Sequence, residues 1–263
     1  MIEINKIYCE PCESTLAKMP NDFIDLIITS PPYDNLRNYN NDFDFELIAR
    51  ELYRVIKPGG VVVWVTGDQV INKSESGTSF KQCLYFKEIG FNLHDTMIYK
   101  KRNPIPLNES RRYNQSFEYM FVLSKGDPKT ANINQVSTKN PGKRYKIKRD
   151  NATSNSNGAI QTKDKWYVAK STKNEDNIWD ISLGSVLEYH NHPARFPEEL
   201  VVKHIESWSN ENDLIYDPFV GSGTTCAIAK KLNRRWIGSD ISSEYCKIAE
   251  NRINNTFTQQ TFN

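Results

Sequence analysis

At 263 residues, 38% of them hydrophobic, the chain is long enough to bury a sizeable core as one large domain or one domain carrying an insertion. No run reaches the roughly 18 apolar residues that cross a bilayer, and Met1-Ile2-Glu3-Ile4-Asn5-Lys6 lacks the order of a secretion signal; a soluble cytoplasmic protein with no membrane partner is expected. A net charge of +2 is too small to indicate nucleic acid by itself, and five scattered cysteines, with only Cys9 and Cys12 at C-x-x-C spacing, suit reduced thiols and no metal site.

In chain order, residues 23–29 form a short β-rich apolar run that stops at Ser30-Pro31-Pro32-Tyr33, because two prolines cannot continue a central strand. The spacing of Leu47, Ile48, Leu52, Val55 and Ile56 predicts a helix over 44–57. Lys57-Pro58-Gly59-Gly60 should end it, and Val61 to Val65 reads as a strand buried on both faces. A helix over 79–89 leads through Gly90 to strands over 93–99 and 117–123. Helix alternating with buried strand means an α/β sheet.

From 125 the character changes to Asn, Ser, Thr and Lys, and residues 151–158 read as a loop. Between Lys125 and Asp176 stand twelve basic and five acidic residues, so the rest of the chain is net acidic. This stretch is expected to be a small lobe or a partly mobile insertion. The alternation then resumes with a helix over 196–208, a strand over 213–216, a helix over 224–232, a strand over 235–238 and a closing helix over 243–253. The chain divides accordingly into 1–124, 125–176 and 177–263.

Asp217-Pro218-Phe219-Val220-Gly221-Ser222-Gly223-Thr224-Thr225 falls between a strand and a helix, where glycines let the backbone approach a ligand and the helix start offers free N–H groups. Asp240 ends the following strand 19 positions after Gly221, a spacing at which an acid takes ribose hydroxyls. An adenosine-type ligand is favoured. A dinucleotide oxidoreductase is compatible with these residues, although Cys226 stands where that fingerprint has its third glycine. The Ser30 loop is stiff, rich in carbonyl acceptors and flanked by a hydroxyl and an aromatic face, which suits it to hold an amino group and stack on a base.

With both segments in place, the sequence resembles the amino-methylating DNA methyltransferases of restriction-modification type. Ser30 to Tyr33 is similar to the family's [DNS]-P-P-[YFW] amine-binding motif, and Phe219 to Gly223 to its F-x-G-x-G cofactor motif. Catalytic motif first and cofactor motif last resembles the circularly permuted β class. The segments Asn177 to Ile181 and His192-Pro193-Ala194-Arg195-Phe196-Pro197 resemble the stretch that precedes the cofactor motif, so the likeness covers nearly the whole chain.

The resemblance implies a permuted Rossmann-like methyltransferase sheet with a small target-recognition insertion, S-adenosylmethionine as cofactor, and double-stranded DNA as substrate. It places Ser30, Pro31, Pro32 and Tyr33 at the reacting amine. Ala194, Phe196, Asp217, Phe219, Gly221, Gly223, Thr224 and Asp240 are placed at the cofactor, with Pro11 and Cys12 where family members carry an aspartate near the adenine. The base must be flipped out of the duplex, with Tyr33 stacking on it and Tyr39, Tyr113 and Phe117 as further lining candidates. Serine at the first motif position implies cytosine N4, with adenine N6 as the alternative. A cognate restriction endonuclease and a monomeric or homodimeric state go with the type, and a catalytically silent DNA-binding module is the remaining alternative.

Overall fold

The computed structural model describes residues 2–32, 44–104, 111–147, 165–182 and 196–258. In chain order the elements are β1 (Lys6–Cys9), α1 (Cys12–Ala17), β2 (Ile24–Thr29), α2 (Phe45–Val55), β3 (Ile56–Thr66), β4 (Val70–Ile71), β5 (Ser74–Glu75) and α3 (Thr78–Glu88). Next come β6 (Asn92–Lys101), β7 (Phe117–Ser124), β8 (Gln135–Ser137), β9 (Arg144–Ile147), β10 (Lys165–Val168), β11 (Thr172–Asn174) and β12 (Ile178–Ile181). The chain continues with α4 (Glu198–Trp208), β13 (Leu214–Asp217), α5 (Thr224–Lys231), β14 (Arg235–Asp240) and α6 (Ser243–Asn254).

The apolar runs assemble into an eight-stranded sheet in the order β1-β14-β13-β2-β3-β7-β6-β12. The strands from β1 through β3 are parallel, β7 runs against both its neighbours, and β12 is parallel to β6. Ile24, Leu26, Ile27 and Ile28 of β2 are fully buried, as expected of a central parallel strand covered on both faces. Helices α1, α2 and α3 pack in succession, as do α4, α5 and α6. With the faces covered, the carboxyl ends of the parallel strands are where polar chemistry can gather. The first and second halves of the chain meet between β2 and β13, and again where β1 pairs with β14 and β12 with β6.

Capping fixes α2, since the Asp44 carboxylate accepts from the Leu47 N–H at 3.0 Å. Its other end departs from expectation. Lys57-Pro58-Gly59-Gly60 does not terminate the helix ahead of a separate strand; β3 begins at Ile56 and takes these residues in. Ile24 pairs with Ile56 and Leu26 with Val61, so the extra residues form a bulge. Gly59 makes it workable at φ +77, a left-handed value, where a Cβ would lie 2.8 Å from Lys129 Cβ.

A second compact unit comprises Ile133–Asp176, with β8 paired to β11 and β9 to β10. Residues 125–132 pack within the first unit: Lys125 Nζ donates to Asp22 at 2.6 Å and to the Tyr53 carbonyl at 3.0 Å, and Asn132 N–H donates to the Ser207 carbonyl. The loop expected at 151–158 lies outside the described residues. Among the described residues no helix is long and apolar enough to cross a membrane.

Candidate active site

Strands β2 and β13 are parallel neighbours, with Leu26 opposite Ile215 and Ile27 opposite Tyr216. Their carboxyl ends therefore reach the same edge of the sheet, carrying Ser30 to Pro32 from one and Asp217 to Gly223 from the other. The Thr29 hydroxyl, buried, donates to Asp217 Oδ1 at 2.7 Å. Ser30 and Pro32 are half-buried and Pro31 is buried. Tyr33 and Tyr39 lie outside the described residues.

The glycine turn is held from below by buried hydroxyls. Tyr216 Oη and Ser239 Oγ lie 2.8 Å apart, and Ser239 Oγ donates to the Pro218 carbonyl. Asp217 also accepts from the Phe219 N–H at 3.1 Å. Burial pushes its pKa up to about 6, although the neighbouring Thr225 and Thr29 hydroxyls and the Phe219 N–H favour its charge. Phe219 meets the buried Trp64 edge-on at 6.4 Å, which seats the turn against β3.

Asp240 closes the turn from the next strand. Its Oδ2 accepts from Gly221 N–H at 3.0 Å and its Oδ1 from Ser242 N–H at 2.9 Å. Both carboxylate oxygens thus face the backbone N–H groups of the turn. Gly223 starts α5 at φ +80, and a Cβ there would stand 2.8 Å from both Cα and Cβ of Ala249 in α6. That glycine serves helix packing as well as backbone shape.

The place of the missing third glycine has a structural answer. Cys226 is buried on α5, and a Cβ on Gly238 of β14 would come within 3.0 Å of its Sγ and 2.8 Å of Val220 and Ile7. Close helix–strand packing is achieved here by a glycine on the strand.

Two further residues join the turn that sequence reasoning missed. Arg252 of α6 donates to Thr224 Oγ1 at 2.7 Å and to Glu198 Oε1 at 2.6 Å. Glu198 opens α4 directly after Phe196, half-buried, and Pro197, buried, so the guanidinium ties the segment entering α4 to the glycine turn. Nothing in the linear pattern pairs position 252 with 198 and 224. Ala194 lies outside the described residues.

Cys9 pairs with Asp240 across β1 and β14, which brings Pro11 and Cys12, just past the end of β1, to the same edge. Pro11 is the N-cap of α1, its carbonyl accepting from Ser14, while burial pushes the Cys12 thiol far up. The neighbouring Glu10 is engaged by Lys18 at 2.6 Å. Strand β7 enters the sheet from this edge too, with Tyr119 opposite Thr66 and Phe117 edge-on to Tyr119 at 5.3 Å. Tyr113 is fully exposed. Among the described residues no group of three or more His, Cys, Asp or Glu is arranged to hold a metal ion.

Residues 24–251 match the N6/N4 family of DNA methylases. The chain belongs to this family. Over 238 residues it is 51% identical to the orphan methyltransferase M.BamHII of Bacillus amyloliquefaciens, covering 88% of this chain and 89% of that one. It is 30% identical to the type II methyltransferase M.HpaI of Haemophilus parainfluenzae, over 96% of this chain and 75% of the relative. Among solved structures, the cytosine-N4-specific PvuII DNA methyltransferase matches with a TM-score of 0.74 at 20% identity, over 97% of this chain and 89% of its own, a likeness of fold. M1.HpyAVI, solved with S-adenosylmethionine, matches with a TM-score of 0.63 at 25% identity, over 95% of this chain and 98% of that one.

This N6/N4 methylase is thus an amino-methylating DNA methyltransferase that uses S-adenosylmethionine, on the mixed α/β sheet common to such enzymes. The oxidoreductase reading of the glycine turn gives way to the family match. The residues present fit the cofactor's chemistry: two buried acids, Asp240 and Asp217, flank a backbone turn shaped by left-handed glycines.

Proposed function

We propose that this enzyme methylates the N4 amine of a cytosine flipped out of duplex DNA, in the space between the Ser30 loop and the glycine turn. The observation that carries the proposal is the adjacency of β2 and β13, sealed by the Thr29–Asp217 hydrogen bond. In this reading Asp217, Phe219, Gly221, Gly223, Thr224 and Asp240 hold the cofactor, with Ala194 and Phe196 at its methionine end and Pro11 and Cys12 beside the adenine. When bound, S-adenosylmethionine supplies an electrophilic methyl on a sulfonium.

An aromatic amine is a poor nucleophile, because its lone pair is delocalised into the ring. The Ser30 hydroxyl oxygen and the Pro31 carbonyl accept its two N–H bonds, drawing the nitrogen toward tetrahedral geometry and aiming its lone pair at the methyl. Tyr33 stacks on the flipped base. The excess proton becomes acidic only after attack, so a strong general base is not required. Serine at the first motif position supports cytosine over adenine. The basic second unit, Ile133–Asp176, is the target-recognition region.

The test is methylation of genomic DNA by the purified protein with labelled S-adenosylmethionine, followed by mass spectrometry of the nucleosides. N4-methylcytosine is expected. Label in N6-methyladenine would overturn the choice of base.

A further inference from the structure

Within the second unit, the β9–β10 ribbon carries an unusual surface. Its register sets Trp166 opposite Lys146, Val168 opposite Arg144, and Tyr167 opposite Tyr145. Alternation along each strand then puts Arg144, Lys146, Trp166 and Val168 on one face and both tyrosines on the other. Trp166 is 62% exposed and Val168 50%, and the two tyrosines are exposed as well. A two-stranded ribbon with aromatic and branched side chains open on both faces gains little stability by itself, and such apolar exposure marks a surface that a partner covers.

Charge identifies the partner. The strands read Arg-Tyr-Lys-Ile and Lys-Trp-Tyr-Val, without an acid, and Lys143, just before β9, holds its ammonium 5.4 Å from the Tyr145 ring centre. Cations interleaved with aromatics complement a polyanion that also offers flat apolar groups, and the B-DNA major groove, about 12 Å wide, admits a two-stranded ribbon. Arginine and lysine are donors suited to guanine O6 and N7, while apolar side chains meet the thymine methyl.

We infer that the β9–β10 ribbon seats in the major groove of the target duplex, with the Arg144, Lys146, Trp166 and Val168 face against the base edges. The inference rests on the proposed role of Ile133–Asp176 in target recognition and names the residues that determine the site. Base-edge contacts make these residues discriminate among sequences, which a contact with phosphate alone does not.

The experiment uses the full-length enzyme. Sequencing of genomic DNA treated with the wild type gives its site, and a short duplex carrying that site is compared with the same duplex scrambled. Binding of wild type, Arg144→Ala, Lys146→Ala, Trp166→Ala and Trp166→Phe is titrated at several salt concentrations, with melting temperature and cofactor affinity measured on the same preparations. Arg144→Ala or Lys146→Ala should lower the ratio of site to scrambled affinity about tenfold. Trp166→Ala should weaken binding to the site and Trp166→Phe should restore most of it, with cofactor affinity unchanged throughout. Equal losses on both duplexes, with the salt slope falling by about one per cation removed, would make the ribbon a phosphate clamp and overturn the inference. Wild-type binding by all four variants would remove the ribbon from the DNA altogether. The base methylated is read separately by mass spectrometry, so an adenine product overturns the cytosine proposal and leaves this test standing.

Discussion

Thr29 and Asp217 stand 188 positions apart in the chain, yet the threonine hydroxyl donates to the aspartate carboxylate across 2.7 Å. The bond is buried and joins the strand that ends at the Ser30 loop to the strand that opens the glycine turn. A buried carboxylate deprived of a donor keeps its desolvation cost. Thr29→Val should therefore destabilise the fold by about 1–3 kcal/mol, seen as a lower denaturant midpoint, whereas Thr29→Ser should retain most of the stability. If valine leaves the midpoint unchanged, the bond does not hold the two strands in register.

Asp217 also gives the enzyme a pH response. Burial raises its pKa from 3.8 to about 6, so the carboxylate takes up a proton in the folded state as pH falls through about 6, well before it would in the unfolded chain. A folded pKa above the unfolded one means that this group's contribution to stability is fully present below pH 3.8 and is lost as pH rises through 6. With Asp217 at the cofactor as proposed, binding should move the other way, because only the ionised form attracts a cationic ligand. Calorimetric titration either side of pH 6 should show S-adenosylmethionine affinity falling on the acid side in the wild type and lacking that step in Asp217→Asn. An identical profile in both proteins would place the titrating group elsewhere.

Arg252 should matter to the cofactor through the residues it holds. Its guanidinium bridges Thr224 and Glu198, two partners that a fork of donors can serve at once. Arg252→Ala is expected to raise KM for S-adenosylmethionine about tenfold while kcat at saturation stays within about twofold, and Arg252→Lys should recover only part of the loss. An equal fall in kcat with KM unchanged would contradict this positioning role.

The residues that announced themselves in the sequence did so through local backbone chemistry. Pro31 and Pro32 stop β2 where a strand cannot go on, and Gly221 and Gly223 adopt left-handed φ values at a strand-to-helix turn. Strands β2 and β3 are legible because each carries an apolar run buried on both faces. Local signals misled where the same residue types serve another purpose: Pro58-Gly59-Gly60 reads as a terminator, yet it forms a bulge that β3 absorbs. Partnerships set by tertiary packing left no trace in the chain order. Gly238 supplies on β14 the close packing that a dinucleotide fingerprint draws from a glycine at the position of Cys226, Arg252 reaches back to residue 198, and Lys125, the first cation of the basic stretch, fastens onto Asp22 and Tyr53 in the first unit.

The most direct test of the proposed site separates holding the cofactor from holding the amine. In Ser30→Ala, single-turnover methyl transfer to duplex DNA is measured alongside S-adenosylmethionine affinity. The account predicts a transfer rate lower by about 10²-fold, as for loss of one preorganised hydrogen bond at a reacting atom, with cofactor affinity unchanged. Transfer at the wild-type rate would contradict it.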